Sequence, residues 1–138
     1  MKWMLLPLRR YAEFSGRSRP REYWTFALFL LLGTILLSWL DVVLGLGAGY
    51  GYYEHSLYNT AAGYVADSGL LTRIFALATV IPGLAVAVRR LHDTDRSGWW
   101  LLIGLVPLLG ELALFIFMLM SGTRGPNRYG PDPVAEGL

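Results

Sequence analysis

A chain of 138 residues with 54% hydrophobic and 16% charged side chains, and a positive mean hydropathy, is too apolar for an ordinary soluble domain and reads as one membrane domain. The absence of cysteine excludes disulfides, thiolate metal sites and cysteine nucleophiles. The net charge of +2 is small but uneven, with Lys2, Arg9, Arg10, Arg17, Arg19 and Arg21 crowded into residues 1–22 against Glu13 and Glu22.

Residues 1–22 form a leader in which Trp3, Leu5, Leu6, Leu8, Tyr11 and Phe14 alternate with arginines. That mixture suits a segment lying in the headgroup plane on the cytoplasmic side. The apolar stretch after it is too long for a cleaved signal peptide and is kept as an anchor. Tyr23 to Leu40 carries no charge, and the segment extends past Asp41, so a first transmembrane helix is predicted over 23–46, matching the roughly 20 residues needed to cross a bilayer. A link over 47–68, rich in Gly and Tyr and free of Lys and Arg, follows as an external loop.

A second helix is predicted over 69–88, with Arg73 near its start and Pro82 inside it, and a polar loop over 89–98. The third apolar segment, 99–120, has Pro107, Gly110 and Glu111 near its midpoint. It is one kinked helix or a re-entrant pair. A single crossing is adopted, because each arm of a pair would hold only about 11 residues. The tail, 121–138, is dense in Gly and Pro and reads as turns. The fold class is therefore all-α, a small polytopic bundle with three transmembrane segments and an interfacial leader. The positive-inside rule places the leader and the 89–98 loop in the cytoplasm, and a straight third crossing then places the tail outside.

The stretch RRLHDTDRSGWW, residues 89–100, concentrates the chemistry. Arg17, Arg19 and Arg21 precede the first helix, and Arg89, Arg90 and Arg96 surround the turn after the second, at the same face. Guanidinium groups grip phosphate bidentately, so with His92 and Asp93 they make a candidate site for an anionic headgroup or ligand. Trp99 and Trp100 would anchor the third segment at the interface. The plainer reading is a capped turn, since Asp93, Thr94, Asp95 and Ser97 all close helix ends or turns. His92 with Asp93 could also exchange protons. A metal needs more ligands, and the other histidine, His55, is predicted on the opposite side, so no metal or cofactor is expected.

Arg73, Glu111 and Asp41 are the ionisable residues within apolar segments, and the cost of a lone charge there predicts an Arg73–Glu111 ion pair with Asp41 sharing the arginine. Gly83 and Ala87 give the second helix a small-residue surface for close packing.

Three stretches, FSGRSRPREYW (14–24), RRLHDTDRSGWW (89–100) and GTRGPNRYGPDP (122–133), resemble in order and spacing the bacterial inner-membrane family known as domain of unknown function 805. The resemblance covers nearly the whole chain and implies a small multi-pass inner-membrane protein with no established activity. Three classes of function follow. The first is a non-enzymatic module whose cytoplasmic arginines recognise anionic lipid headgroups, an anionic ligand or a partner protein. The second is an oligomeric ion or solute conduit using Glu111, and the third an enzyme acting on lipid phosphate. Membrane lipids, further copies of the chain or a membrane protein are the expected partners. Nucleic acid is not, because the cations lie at a membrane face among aspartates.

Overall fold

The structure, a computed structural model, describes residues 2–47 and 69–135, and its regular elements are all helices. In chain order they are α1 (Lys2–Arg9), α2 (Pro20–Val43), α3 (Leu70–Asp93), a 3-10 helix (Gly98–Leu105) and α4 (Leu109–Leu119). Apart from Gly47, the link expected over 47–68 lies outside the described residues.

Helices α2 and α3 each contain 24 residues. At 1.5 Å per residue that is about 36 Å, more than the roughly 30 Å of hydrocarbon in a bilayer. Both are long and apolar enough to cross one. Pro20 opens α2, where its fixed φ is helical and its missing N–H costs nothing. The two helices stop in the same way. After α2, Gly45 adopts φ +65°, with Leu46 N–H donating to the Asp41 carbonyl and Gly45 N–H to that of Val42. After α3, Asp95 adopts φ +58°, with Arg96 N–H donating to the Leu91 carbonyl and Asp95 N–H to that of His92. These are paired Schellman closures with the left-handed residue just past the helix end. The second places an aspartate where glycine is usual.

Helix α3 runs past the expected end at 88 to Asp93. Arg89 to Asp93 are therefore its last helical turn and not a loop. The closure at Asp95 sets this end.

The third apolar segment does not cross as one helix. The 3-10 helix has eight residues and α4 has 11. Their lengths are each about 16 Å at 2.0 and 1.5 Å per residue. Leu108 joins them in a tight turn of positive φ (+63°), with Leu109 N–H donating to the Pro107 carbonyl. Gly110 permits the fold-back, because a Cβ there would lie 1.7 Å from the Ile103 carbonyl oxygen. The arms pair closely: the Trp100 and Phe117 rings meet edge to face at 5.5 Å, and the Arg96 guanidinium lies 4.3 Å above Phe117. The expected single helix over 99–120 is thus replaced by a hairpin of two helical arms. Its turn residues, Pro107 and Gly110, were visible, but arm length counted in α-helical residues argued the other way.

The described chain forms two compact units, Leu30–Thr79, and Met1–Phe29 with Val80–Leu138. In the former, α2 and α3 are antiparallel neighbours. Asp41, 1% exposed, accepts from Leu71 N–H and Thr72 N–H, both at 2.9 Å, and from the Thr72 hydroxyl at 2.7 Å. Having given its proton to Asp41, Thr72 Oγ1 accepts from Ser38 Oγ at 3.3 Å. The carboxylate thereby satisfies the orphan amides of the first turn of α3 and sits at the positive end of its dipole. This is the role of Asp41, with Arg73 electrostatically coupled to it.

The other unit has an unusual interior. Phe26, Ala85, Val86, Leu91 and Met118 are buried, but so are Arg17, Glu22, Arg89, Arg90 and Asp93, while Leu105 and Leu108 are each 80% exposed. Leu28, Leu31, Ile35 and Leu36 of α2, and Leu77, Val80 and Leu84 of α3, also face outward. A polar interior inside an apolar exterior is the arrangement a hydrocarbon solvent requires, since ionisable side chains there turn inward and pair.

Candidate functional site: a buried arginine–aspartate junction

The junction forms where the leader, the last turn of α3 and the tail meet. Arg17 precedes α2, and its three nitrogens go to three acceptors: Nε to Asp93 Oδ1 at 3.0 Å, Nη1 to the Gly125 carbonyl at 2.6 Å, and Nη2 to the Thr123 carbonyl at 2.5 Å. The second Asp93 oxygen accepts from Arg90 Nη1 at 2.6 Å. Arg90 also donates from Nε to the Met118 carbonyl at 3.3 Å and from Nη2 to that of Met120. Those are carbonyls at the C-terminal end of α4, left without intrahelical partners, and a cation there is favoured by the helix dipole. Asp93 is thus held by two guanidiniums, with side chains at most 3% exposed.

The tail closes over this pair. Thr123 N–H donates to the Asp93 carbonyl at 2.8 Å, and Asn127 Nδ2 donates to the His92 carbonyl at 2.9 Å. A Cβ on Gly122 would lie 2.1 Å from Asp93 Oδ2, so only glycine lets the backbone pass this close to the carboxylate. Asn127 and Gly130 exchange backbone hydrogen bonds, and Asp132 accepts from Gly125 N–H and Val134 N–H, each at 2.9 Å. These bonds, the one from Val134 foremost, hold the Asp132 carboxyl below the usual range. The expected turns are present, and they form a folded cap.

A second buried pair lies alongside. Arg89, fully buried, is 3.3 Å from Glu22 Oε1, and its carbonyl accepts from Ser18 N–H at 3.0 Å. Ser18 Oγ, Glu22 Oε1 and Arg89 Nη1 and Nη2 make no hydrogen bond among the described residues. Charge alone holds this pair, in contrast to the fully bonded Arg17–Asp93–Arg90 set.

His92 does not act with Asp93. Its Nδ1 faces the Gly16 carbonyl at 3.1 Å, so that nitrogen carries the proton, and its ring lies parallel to Tyr129 at 3.8 Å between centroids. Both Asp93 oxygens belong to arginines, which corrects the expectation of a proton-exchanging pair. Among the described residues no three His, Asp or Glu side chains gather as a metal set would require.

The remaining predicted residues lie outside the junction. Arg19 is 5.5 Å from the Trp3 ring, and Arg21 is exposed. Arg96 covers Phe117, with Trp99 78% exposed beside it. Arg73 is exposed on α3, and Glu111 is exposed in the first turn of α4. Glu111 has no ion pair among the described residues. Sequence reasoning missed Thr123, Asn127 and Asp132 as members of the junction. The signal was present as polar side chains at fixed places among the glycines and prolines of the third motif.

The described residues make a small all-helical protein with two helices long and apolar enough to cross a membrane. The comparisons agree. The chain belongs to the family described as protein of unknown function (DUF805), whose profile matches residues 11–131. It is 41% identical over 136 residues to inner membrane protein YhaH of Escherichia coli strain K12, covering 99% of each chain. It is also 41% identical over 133 residues to inner membrane protein YhaI of the same strain, covering 96% of each. No solved structure matches it. The three stretches on which the resemblance rests are the three that meet in the junction.

Proposed function

We propose that this chain is a multi-pass inner-membrane protein, crossing with α2 and α3, and that it works as a non-enzymatic module binding anionic lipid headgroups through arginines outside the junction. The names of its relatives support the location. The excess of cations in the leader and the last turn of α3 supports a cytoplasmic face for both, and α1, with Trp3 and leucines among arginines, suits an interfacial position.

The observation that carries the reading is a division of labour among the arginines. Arg17, Arg89 and Arg90 are buried against Asp93, Glu22 and backbone carbonyls and are spent on folding. Arg9, Arg21 and Arg124 are exposed and have no ion pair among the described residues. Arg124 lies between Thr123 and Gly125, whose carbonyls both hold Arg17, and Arg21 begins the helix that follows Arg17. The buried set therefore holds Arg21 and Arg124 near one another. Each cation near an anionic surface contributes about 1 kcal/mol of attraction.

Native mass spectrometry of the protein released from nanodiscs of mixed zwitterionic and anionic lipid tests this. Wild type is expected to retain anionic lipid adducts that the Arg9→Ala, Arg21→Ala, Arg124→Ala variant loses while keeping its melting temperature. Equal retention by the two proteins would refute headgroup recognition by these residues.

A further inference from the structure

Tyr23, Trp24, Leu101, Glu111, Leu114 and Phe115 line an open groove of about 300 Å³ between α2, the 3-10 helix and α4. Its walls are apolar and aromatic, and Glu111 is its one charged lining residue. The groove borders the junction, since Met118, whose carbonyl accepts from Arg90, also lines it. Trp24 meets Tyr23 at 5.3 Å and 87°, and Phe115 at 5.8 Å and 83°, so the three rings stand nearly perpendicular and present both edges and faces. Trp24 is fixed in place by its Nε1–H bond to the Met118 carbonyl at 3.2 Å.

A carboxylate against aromatic walls selects its occupant by charge and by hydration. An anion is repelled. A metal ion needs several oxygen ligands and finds one carboxylate. A small hydrated cation loses water against apolar walls that return no hydrogen bonds. A large organic cation with diffuse charge sheds little hydration, covers the apolar walls and gains attraction from ring faces. No cation of the described chain fills the place, since Glu111 has no ion pair among those residues. We propose that this groove binds a lipophilic organic cation of the quaternary ammonium or phosphonium class, with Glu111 as the counter-charge and Trp24 and Phe115 as its aromatic walls.

Equilibrium dialysis of the full chain in a non-ionic detergent, with tetraphenylphosphonium as probe and the isosteric anion tetraphenylborate as comparator, tests the proposal. Saturable binding of the phosphonium and not of the borate is expected. Glu111→Gln is expected to weaken phosphonium binding about tenfold or more, and Phe115→Leu, which keeps the apolar wall and removes the ring, several-fold. Glu111 is exposed and without an ion pair, so the Gln variant keeps its fold, which its melting temperature verifies. Equal binding of phosphonium and borate by wild type, or unchanged affinity in the folded Glu111→Gln protein, would overturn the proposal. The Arg9, Arg21, Arg124 variant should bind the phosphonium as wild type does, which keeps this site separate from the headgroup-binding face.

Discussion

Arg17 and Asp93 stand 76 positions apart in sequence and are joined by a 3.0 Å hydrogen-bonded ion pair inside the protein. Arg17 comes before the first long helix and Asp93 ends the second, so the bond closes the chain across both. Arg90 takes the other carboxylate oxygen, and the Thr123 and Gly125 carbonyls take the remaining arginine donors. A buried ion pair is not stabilising merely by existing, because desolvation opposes it; this one is completed by bonds on every side.

The first prediction follows from that completeness. Asp93→Asn leaves two buried guanidiniums facing a neutral amide and is expected to lower stability by about 3–5 kcal/mol. Arg17→Lys should also be costly, since three donors on one nitrogen cannot reach the separated acceptors that the three guanidinium nitrogens bridge. Arg124→Ala, next to the same carbonyls but exposed, should stay within about 0.5 kcal/mol of wild type. Thermal unfolding in mild detergent checks the order, and an Asp93→Asn protein as stable as Arg124→Ala would remove the junction from its structural role.

The second concerns the end of α3. Asp95 holds a left-handed conformation that costs most side chains about 1–2 kcal/mol, and aspartate tolerates it better than most. Its ion pair with Arg128 at 3.1 Å is exposed and worth at most about 1 kcal/mol. Asp95→Gly is therefore expected to be neutral or slightly stabilising, and Asp95→Ala to be less stable than Asp95→Gly by about 1 kcal/mol. Paired melting curves of the two variants decide it; equal stability would mean that the backbone at 95 carries no strain.

Much of this was legible before any coordinates. The apolar runs located α2 and α3 because a bilayer imposes a length and a composition, and the clustering of arginines around residues 17–21 and 89–96 located the junction. What the sequence hid was partnership. Nothing local tells Arg17 that its acceptor is Asp93 and not a lipid phosphate, because both offer the same two oxygens to a guanidinium. The fold-back at Leu108 was hidden for another reason: each arm is too short to cross a bilayer, and a residue count does not show that two such arms pack against each other instead of continuing as one helix. For Asp41 the expected coupling to Arg73 is accompanied by backbone amide partners, which every residue carries and no composition reveals.

Acid should loosen the turns of the tail that Asp132 fastens. Backbone donation from Val134 and Gly125 favours the ionised form of Asp132 in the folded chain. The folded value is depressed, so the stabilising contribution is full above the unfolded carboxylate value of about 3.9 and fades as pH falls through the lower folded one. Hydrogen-exchange protection of the Gly125 and Val134 amides, corrected for intrinsic rates, should drop over that acidic window in wild type. In Asp132→Asn it should not change over that window, because an amide does not titrate there, and it should be lower for at least one of the two amides, because only one side-chain oxygen remains to accept. Wild-type protection that persists far below the window would show that Asp132 does not fasten the tail.

The hairpin of the 3-10 helix and α4 makes a prediction about sidedness. A straight third crossing separates Thr123 from Asp93 by the full hydrocarbon thickness of about 30 Å. Here Thr123 N–H donates to the Asp93 carbonyl at 2.8 Å, Arg90 reaches the Met118 and Met120 carbonyls, and Arg17 reaches Gly125. No shift of a few ångströms reconciles these bonds with a tail on the opposite face. Because the chain lacks cysteine, single Ala12→Cys and Ala135→Cys variants report each end directly. Both should resist an impermeant maleimide in intact cells and react together once the membrane is opened, while a cysteine in the 47–68 link reacts from outside. The comparison that matters is between the two ends. If Ala135→Cys labels in intact cells and Ala12→Cys does not, the third segment crosses, the tail cannot close over Asp93 in the membrane, and the junction would have to be completed by groups other than Thr123 and Gly125.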